Sequence, residues 1–219
     1  MIGRRSLPSC SGLLQRRSSG EGIVYSTIGV KNWAENLPSP EQVRPGCCSR
    51  CGAASQPQGA AVVLHGHGVR WRQVRGPVRA DGEPETTVVA ARRYRCQRCG
   101  GITTVLPGGL CARRHYSASA IGLAFCLFGL GGLSIGETRQ RVCTWRAGFE
   151  LSRWSTLRNW VVAVGSGQLL PRIAVWRRWP AHGTLRQGAV RAAACLCALA
   201  PAGAGSLSEQ AFAGAALAA

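Results

Sequence analysis

Two five-residue segments, Cys48-Ser49-Arg50-Cys51-Gly52 and Cys96-Gln97-Arg98-Cys99-Gly100, share one pattern: two cysteines separated by two residues and followed by glycine. A tight turn of this kind brings two thiolates to one tetrahedral zinc ion, at about 2.3 Å from the metal. The glycine can adopt a positive φ, which lets backbone N–H groups point at the sulfur atoms. Two such turns on neighbouring hairpins form a zinc ribbon. We therefore predict one structural zinc ion bound by Cys48, Cys51, Cys96 and Cys99.

Other interpretations of the cysteines are less favoured. A thioredoxin-type redox pair uses a single Cys-x-x-Cys at a strand–helix junction, whereas here two matching segments flank β-like sequence. Cys47 could replace Cys48 only with three residues before Cys51, a less usual spacing. His65 and His67 are not needed, because four thiolates close the coordination sphere and leave no position for water or substrate. The remaining cysteines are expected to pack as small apolar residues: Cys10, Cys111, Cys126, Cys143, Cys195 and Cys197.

The charge of the chain favours a polyanionic partner. It carries 27 basic and 9 acidic residues, for a net charge of +18. Residues 44–116 contain 12 arginines against three acidic residues, and residues 137–180 contain 8 arginines against two. The excess positive charge therefore lies in the segments that carry the motifs. Nucleic acid is the favoured partner, and an anionic membrane surface is the second.

The amino terminus argues against export. Residues 1–5 are basic, but residues 18–22 interrupt any apolar run that could form the core of a signal peptide. Thiols that stay inside a cell remain reduced, so paired cysteines are expected to bind metal rather than to form disulfides. We expect a cytoplasmic protein.

The character of the sequence divides the chain into four parts. Residues 1–43 show little periodicity and are expected to form a loosely ordered leader, with a short helix near its end. Residues 44–112 are expected to form the zinc ribbon, residues 113–180 a helix-turn-helix-like helical domain, and residues 181–219 an Ala-rich tail. The expected fold class is α+β, with a small four-cysteine zinc-ribbon β domain followed by the helical domain.

Short β-like runs fill the ribbon segment, and helical periodicity follows it. Strands are expected at residues 61–64, 69–74, 86–91 leading into 93–95, and 102–106, with a turn at 81–84. Helices are expected at residues 30–36, 117–130, 134–142, 152–164 and 168–179. Ser134 and Glu137 have the spacing of a capping box, which predicts where the third of these helices begins.

The helix predicted at residues 152–164 is amphipathic. Its apolar face consists of Trp154, Leu157, Trp160, Val161 and Val164. Its polar face consists of Arg153, Ser155, Thr156, Arg158 and Asn159. Recognition helices contact DNA with such residues, because arginine pairs with guanine, asparagine with adenine and hydroxyls with either. Together with the helix at 134–142 they predict a helix-turn-helix, although the connection is longer than the standard turn. The alternative is an ordinary amphipathic helix with a solvated basic face.

One stretch is apolar enough to raise the question of a membrane span. Residues 115–136 carry no formal charge, and their number is close to the roughly 20 residues that cross a bilayer. However, Gly131 and Gly132 break the stretch in its last third. The periodic apolar residues before them fit a buried helix, so a membrane partner is not expected.

Five short motifs follow one another along the chain in a recognisable order. These are Arg93-Tyr94-Arg95-Cys96-Gln97-Arg98-Cys99-Gly100, Thr103-Thr104-Val105-Leu106-Pro107, Arg113-Arg114-His115-Tyr116-Ser117, Gly132-Leu133-Ser134, and Thr156 to Trp160. This order resembles the amino-terminal region of insertion-sequence transposases and, more closely, an uncharacterised bacterial family of zinc-ribbon proteins related to it. The resemblance covers about residues 45–165. It implies binding of double-stranded DNA, with zinc on the four cysteines and the face of residues 153–159 towards DNA.

Catalysis is not expected. Strand transfer uses a set of carboxylates that bind two divalent metal ions. The chain has a single aspartate, Asp81, and Glu209 is the only acidic residue after Glu150. We therefore predict a zinc-stabilised DNA-binding protein that is transposase-related, lacks a catalytic domain and is not an enzyme. The alternatives are a zinc-ribbon adaptor for protein or RNA, and a membrane-associated protein that uses residues 115–136.

Overall fold

A computed structural model describes residues 22–111, 114–144, 154–173 and 183–219. The strands in these ranges are β1 (Gly22–Gly29), β2 (Leu64–Gly76), β3 (Glu85–Cys96) and β4 (Ile102–Gly108). The helices are α1 (Val30–Glu35), α2 (Ala118–Phe125), α3 (Ile135–Val142), α4 (Ser155–Gly165), α5 (Leu185–Ala198) and α6 (Leu207–Ala218). A π-helical turn, Cys126–Leu130, extends α2. The expected mixture of strands and helices is confirmed, whereas the division into successive domains stays a prediction.

The four strands form one sheet in the order β1-β4-β3-β2. Strands β3 and β4 are antiparallel, with Arg92 opposite Val105 and Arg95 opposite Ile102. The strands expected at 69–74, 86–95 and 102–106 are parts of β2, β3 and β4. No separate strand forms at residues 61–63, because β2 begins only at Leu64. Three of the expected strands are therefore confirmed, and the start of β2 lies later than the expected strand at 61–64.

Strand β1 corrects the expectation of a loosely ordered leader in the described part of residues 1–43. Gly22–Gly29 forms an edge strand beside β4, and helix α1 follows it, as expected for residues 30–36. The strand contains Ile, Val, Tyr and Thr, which favour β structure. Local sequence did not reveal it, because only Val24 is buried and the hydrogen-bonding partner β4 lies far along the chain.

The chain divides into two compact units. The ribbon unit comprises the described residues of Met1–Thr27 together with Asn36–Trp71 and Ala90–Pro107. The helical unit comprises Ile28–Glu35, Arg72–Val89 and the described residues of Gly108–Ala219.

Helix α2 is the central helix of the helical unit, where it contacts α3, α4, α5 and α6. Small residues bring the helix backbones close together. A Cβ atom added to Gly122 would lie 2.5 Å from the carbonyl oxygen of Ala211 in α6. One added to Gly129 would lie 2.6 Å from the backbone nitrogen of Val190 in α5. The alanines of α5 and α6 that complete this contact are fully buried: Ala189, Ala192, Ala193, Ala211, Ala215 and Ala218. The Ala-rich tail thus supplies two helices to the core.

The stretch at 115–136 forms α2, the π-helical turn and the start of α3. Ile121, Ala124 and Phe125 are fully buried in the core of the helical unit. Within the described residues, no helix combines the length and the apolar character needed to cross a membrane.

Helix α3 begins with the capping box that the sequence predicted. Ser134 accepts a hydrogen bond from the backbone N–H of Glu137 (3.2 Å), and the Glu137 carboxylate accepts one from the Ser134 N–H (2.8 Å), so the capping box at α3 is confirmed. Hydrogen bonds donated to the carboxylate by the side chain and the backbone N–H of Ser134 lower the pKa of Glu137. The helix expected at 168–179 does not form in its described part: residues 168–173 make turns, with Leu170 at φ 49° before Pro171.

The close approach of α2 and α6 gives a first prediction. Gly122→Ala forces a methyl group against the α6 backbone, so we expect a loss of about 1–3 kcal/mol in the free energy of unfolding. The matched control is Gly29→Ala, since no atom lies within 4 Å of a Cβ added there. Urea unfolding of both variants is the measurement. Equal stabilities of the two variants would show that α2 and α6 do not pack through Gly122.

Candidate metal centre and nucleic-acid interface

The four predicted cysteines converge in the ribbon unit. Their Sγ atoms all lie within 4.8 Å of one another. The Cys48–Cys99 and Cys51–Cys96 sulfur distances are 3.7 and 3.8 Å. A disulfide requires about 2.05 Å between sulfurs. A tetrahedral ion at about 2.3 Å from each sulfur requires sulfur–sulfur edges of about 3.8 Å. The cluster therefore has the dimensions of a four-thiolate metal site.

The two Cys-x-x-Cys turns have the same backbone geometry. In the first, the N–H of Cys48 donates to the carbonyl of Ala53 (2.8 Å), and the N–H of Gly52 donates to the carbonyl of Cys48 (2.9 Å). The second turn repeats both bonds from and to Cys96, each at 2.9 Å. Gly52 and Gly100 have φ values of 69° and 66°, so both glycines adopt the positive φ that the sequence pattern predicts. Two equivalent turns thus present their sulfur pairs to each other.

The sulfur atoms are also hydrogen-bonded by the backbone. The Arg50 N–H donates to Cys48 Sγ at 3.4 Å. A backbone hydrogen bond from Gly101 lowers the pKa of Cys99, but partial burial and the three neighbouring thiols together outweigh it and raise that pKa to about 12. Thiols this close do not ionise together without a cation between them. A divalent metal would displace their protons, which is how thiolate sites form.

A buried threonine connects the first turn to the sheet. Ser49 Oγ and Thr103 Oγ1 are 2.8 Å apart, and the Ser49 N–H also donates to Thr103 Oγ1. Thr103 lies on β4 and is fully buried. Sequence reasoning missed this residue, because a threonine in a short strand gives no signal that distinguishes a hydrogen-bonding partner from a surface position.

Cys47 and the two histidines lie outside the cluster, as predicted. Cys47 is buried and pairs through its backbone with Ala54. His65 and His67 are exposed, and His65 Nε2 lies 2.8 Å from the carbonyl oxygen of Val62. In the described ranges, the four-cysteine cluster is the only group of three or more potential ligands that could hold a metal ion.

The other described cysteines are buried or half-buried. Cys111, Cys126 and Cys143 are buried, and burial raises the pKa of the Cys126 thiol. Cys195 and Cys197 are half-buried on α5. Their positions agree with the prediction that they pack as small apolar residues; Cys10 lies outside the described residues.

Helix α4 has the amphipathic character that its sequence predicts. All five residues of the predicted apolar face are buried: Trp154, Leu157, Trp160, Val161 and Val164. On the other face, Ser155, Arg158 and Asn159 are exposed, while Thr156 is half-buried. Arg153 lies outside the described residues, as does most of the connection from α3, so the helix-turn-helix stays a prediction.

Three aromatic rings hold the start of α4 in place. Tyr116, just before α2, packs edge-to-face against Trp154 and Trp160, with ring centroids 6.2 and 4.9 Å away. The two tryptophans pack edge-to-face on each other at 5.2 Å. The Tyr116 hydroxyl donates to Cys143 Sγ at 2.9 Å, and burial raises the pKa of Tyr116. A helix held this firmly presents Arg158 and Asn159 in a defined orientation. Sequence reasoning treated Tyr116 only as a helix-start residue.

Comparison with known proteins does not assign this chain to a family. The chain matches no protein-family model, no curated protein and no solved structure.

The cluster gives a second prediction. Protein purified without chelator is expected to contain one metal ion per chain, and Cys96→Ser is expected to lose it and to unfold the ribbon unit, because that unit depends on the site. Cys195→Ser, a half-buried cysteine outside the cluster, is the matched control and should retain the metal. Elemental analysis and circular dichroism are the measurements. A metal-free wild-type protein, or a Cys96→Ser variant with unchanged metal content, would contradict the assignment.

Proposed function

We propose that this protein is a zinc-stabilised DNA-binding protein. The observation that carries the proposal is the exposed face of α4, where Arg158 and Asn159 lie side by side on a helix whose other face is buried. Arginine can donate two hydrogen bonds to guanine in the major groove, and asparagine can pair in the same way with adenine. Adjacent exposed residues of these two types suit base recognition in duplex DNA.

Zinc is the metal that best suits the cysteine cluster. Four sulfur donors select soft or borderline cations such as zinc over magnesium and calcium, which prefer oxygen. Four thiolates leave no open coordination position, so the role we propose is structural. Metal binding of this kind contributes on the order of 10–16 kcal/mol, which a small β unit uses to fold. Reduced thiols are typical of the cytoplasm, where we place the protein.

The charge of the chain supports a nucleic-acid partner. The net charge of +18 comes almost entirely from arginine, which binds phosphates and bases with two hydrogen bonds at once. Such charge attracts duplex DNA over distances set by the salt concentration. The proposal therefore includes both phosphate contacts, which give affinity, and the α4 residues, which give sequence preference.

The proposed relation to transposases is limited to binding. It rests on the motif order from Arg93 to Trp160, and it supports the proposal that this chain recognises DNA without cutting it. A single aspartate in the whole chain does not suit a carboxylate site for two metal ions. We therefore propose a binder, not an enzyme.

A salt titration of duplex binding tests the proposal. The wild-type protein should bind a random-sequence duplex at low salt, with an affinity that falls steeply as salt rises. Arg158→Ala should weaken duplex binding. Asn159→Ala should change the sequences selected from a random pool, and it should reduce the binding free energy for the preferred site by about 1–3 kcal/mol. Arg191→Ala removes the same charge from the exposed face of α5 and is the matched control.

The result that would overturn the proposal is equal duplex binding by Arg158→Ala and Arg191→Ala. This outcome would mean that the arginines act only through their total charge, or that α4 faces another partner. Binding of protein or RNA with no duplex affinity would instead favour a zinc-ribbon adaptor.

A further inference from the structure

One tryptophan of the ribbon unit lies on the surface. The side chain of Trp71, on β2, is 67% exposed. The other tryptophans in the described residues, Trp33, Trp154 and Trp160, are at most 8% exposed. Tryptophan is among the residues with most to gain from burial, so the exposed ring of Trp71 offers a partner a large aromatic contact.

The exposed tryptophan lies on an edge of the sheet. Strand β2 is the last in the order β1-β4-β3-β2, and Arg70, next to Trp71, is also exposed. Successive side chains point to opposite sides of a strand, so Arg70 and Trp71 offer charge and an aromatic ring on the two sides of the same edge. The neighbouring strand β3 adds Arg92, Arg93 and Arg95.

The ribbon unit, to which Trp71 belongs, is strongly cationic in its described part. The described part of the ribbon unit contains seven arginines: Arg44, Arg50, Arg70, Arg92, Arg93, Arg95 and Arg98. Its only acidic residue is Glu41, which already pairs with Arg44 at 3.3 Å. Arg50, Arg70, Arg95 and Arg98 are exposed. The segment from β2 to β3 that carries Trp71 is also positive, with seven arginines against Asp81, Glu83 and Glu85. This excess of positive charge favours an anionic occupant.

We propose that Trp71 is a stacking platform for an unpaired base of single-stranded nucleic acid. A single strand combines a phosphate backbone, which suits the arginines, with exposed base faces, which stack on an aromatic ring. In a duplex the bases are stacked on each other and are not available to Trp71. The proposal is thus separate from duplex recognition by α4: it gives the ribbon unit a ligand of its own.

The test compares three residues at position 71 in the full-length, zinc-loaded protein. The probe is a fluorescently labelled oligothymidylate of about 15 nucleotides, long enough to span a typical single-strand site. Trp71→Phe keeps an aromatic ring and should bind within about two-fold of wild type, whereas Trp71→Leu keeps only apolar bulk and should lose roughly ten-fold or more in affinity. Because residue 71 is exposed, all three proteins should retain metal and unfold alike.

Fluorescence gives a second readout. Stacking of a base on Trp71 should quench part of the tryptophan emission of the wild-type protein on binding. That quenching should disappear in Trp71→Phe while the affinity remains. Equal affinity of the wild-type protein and Trp71→Leu for the oligonucleotide would overturn the proposal. A second pair of results would also overturn the proposal. In that case the wild-type protein would not bind the oligonucleotide, and Trp71→Leu would abolish binding of the protein to phosphatidylserine vesicles.

The two proposals fail separately. Arg158→Ala should reduce duplex binding and leave oligothymidylate binding unchanged, and Trp71→Leu should do the reverse. If Arg158→Ala alone has no effect on duplex binding, duplex recognition by α4 is contradicted and the stacking platform is not. If Trp71→Leu alone has no effect on oligothymidylate binding, the stacking platform is contradicted and duplex recognition is not.

Discussion

The closeness of four thiol sulfurs is the constraint on which the ribbon unit depends. Two turns far apart in the chain place their sulfurs at the edge lengths of a metal tetrahedron. Four neutral thiols gain little from such an arrangement, whereas four thiolates around a divalent cation gain a large binding free energy. The matched backbone bonds of the two turns, and the hydrogen bond between Ser49 and Thr103, hold the turns in the geometry that brings the sulfurs together. A bound metal would complete that geometry.

The helical unit is stabilised differently. Its core depends on glycine and alanine at the contacts of α2 with α5 and α6, where backbones approach more closely than larger side chains allow. Such contacts make the unit sensitive to added volume rather than to loss of a ligand. The aromatic group of Tyr116, Trp154 and Trp160 then sets the orientation of α4.

Two surfaces with different chemistry follow from these two cores. On α4, Arg158 and Asn159 offer directional hydrogen bonds, which suit the paired edges of bases in a groove. On β2, Trp71 offers an aromatic face, which suits bases that have left the stack. The net charge of +18 would attract either of the proposed forms of nucleic acid. Discrimination between duplex and single-stranded nucleic acid would come from the uncharged groups among the arginines, the Asn159 amide and the Trp71 ring.

The sequence by itself determined the features that depend on near neighbours: the two Cys-x-x-Cys-Gly turns, the capping box at Ser134 and the amphipathic face of α4. Each follows from the spacing of residues within one turn or one helix, so residues close together in the sequence are enough to predict it. Tertiary structure decided which strand pairs with Gly22–Gly29, how Thr103 supports the first cysteine turn, and that the Ala-rich end belongs to the core. It also decided that Trp71 stays exposed while Trp33 is buried. These outcomes depend on contacts between residues distant in sequence, which no local pattern encodes.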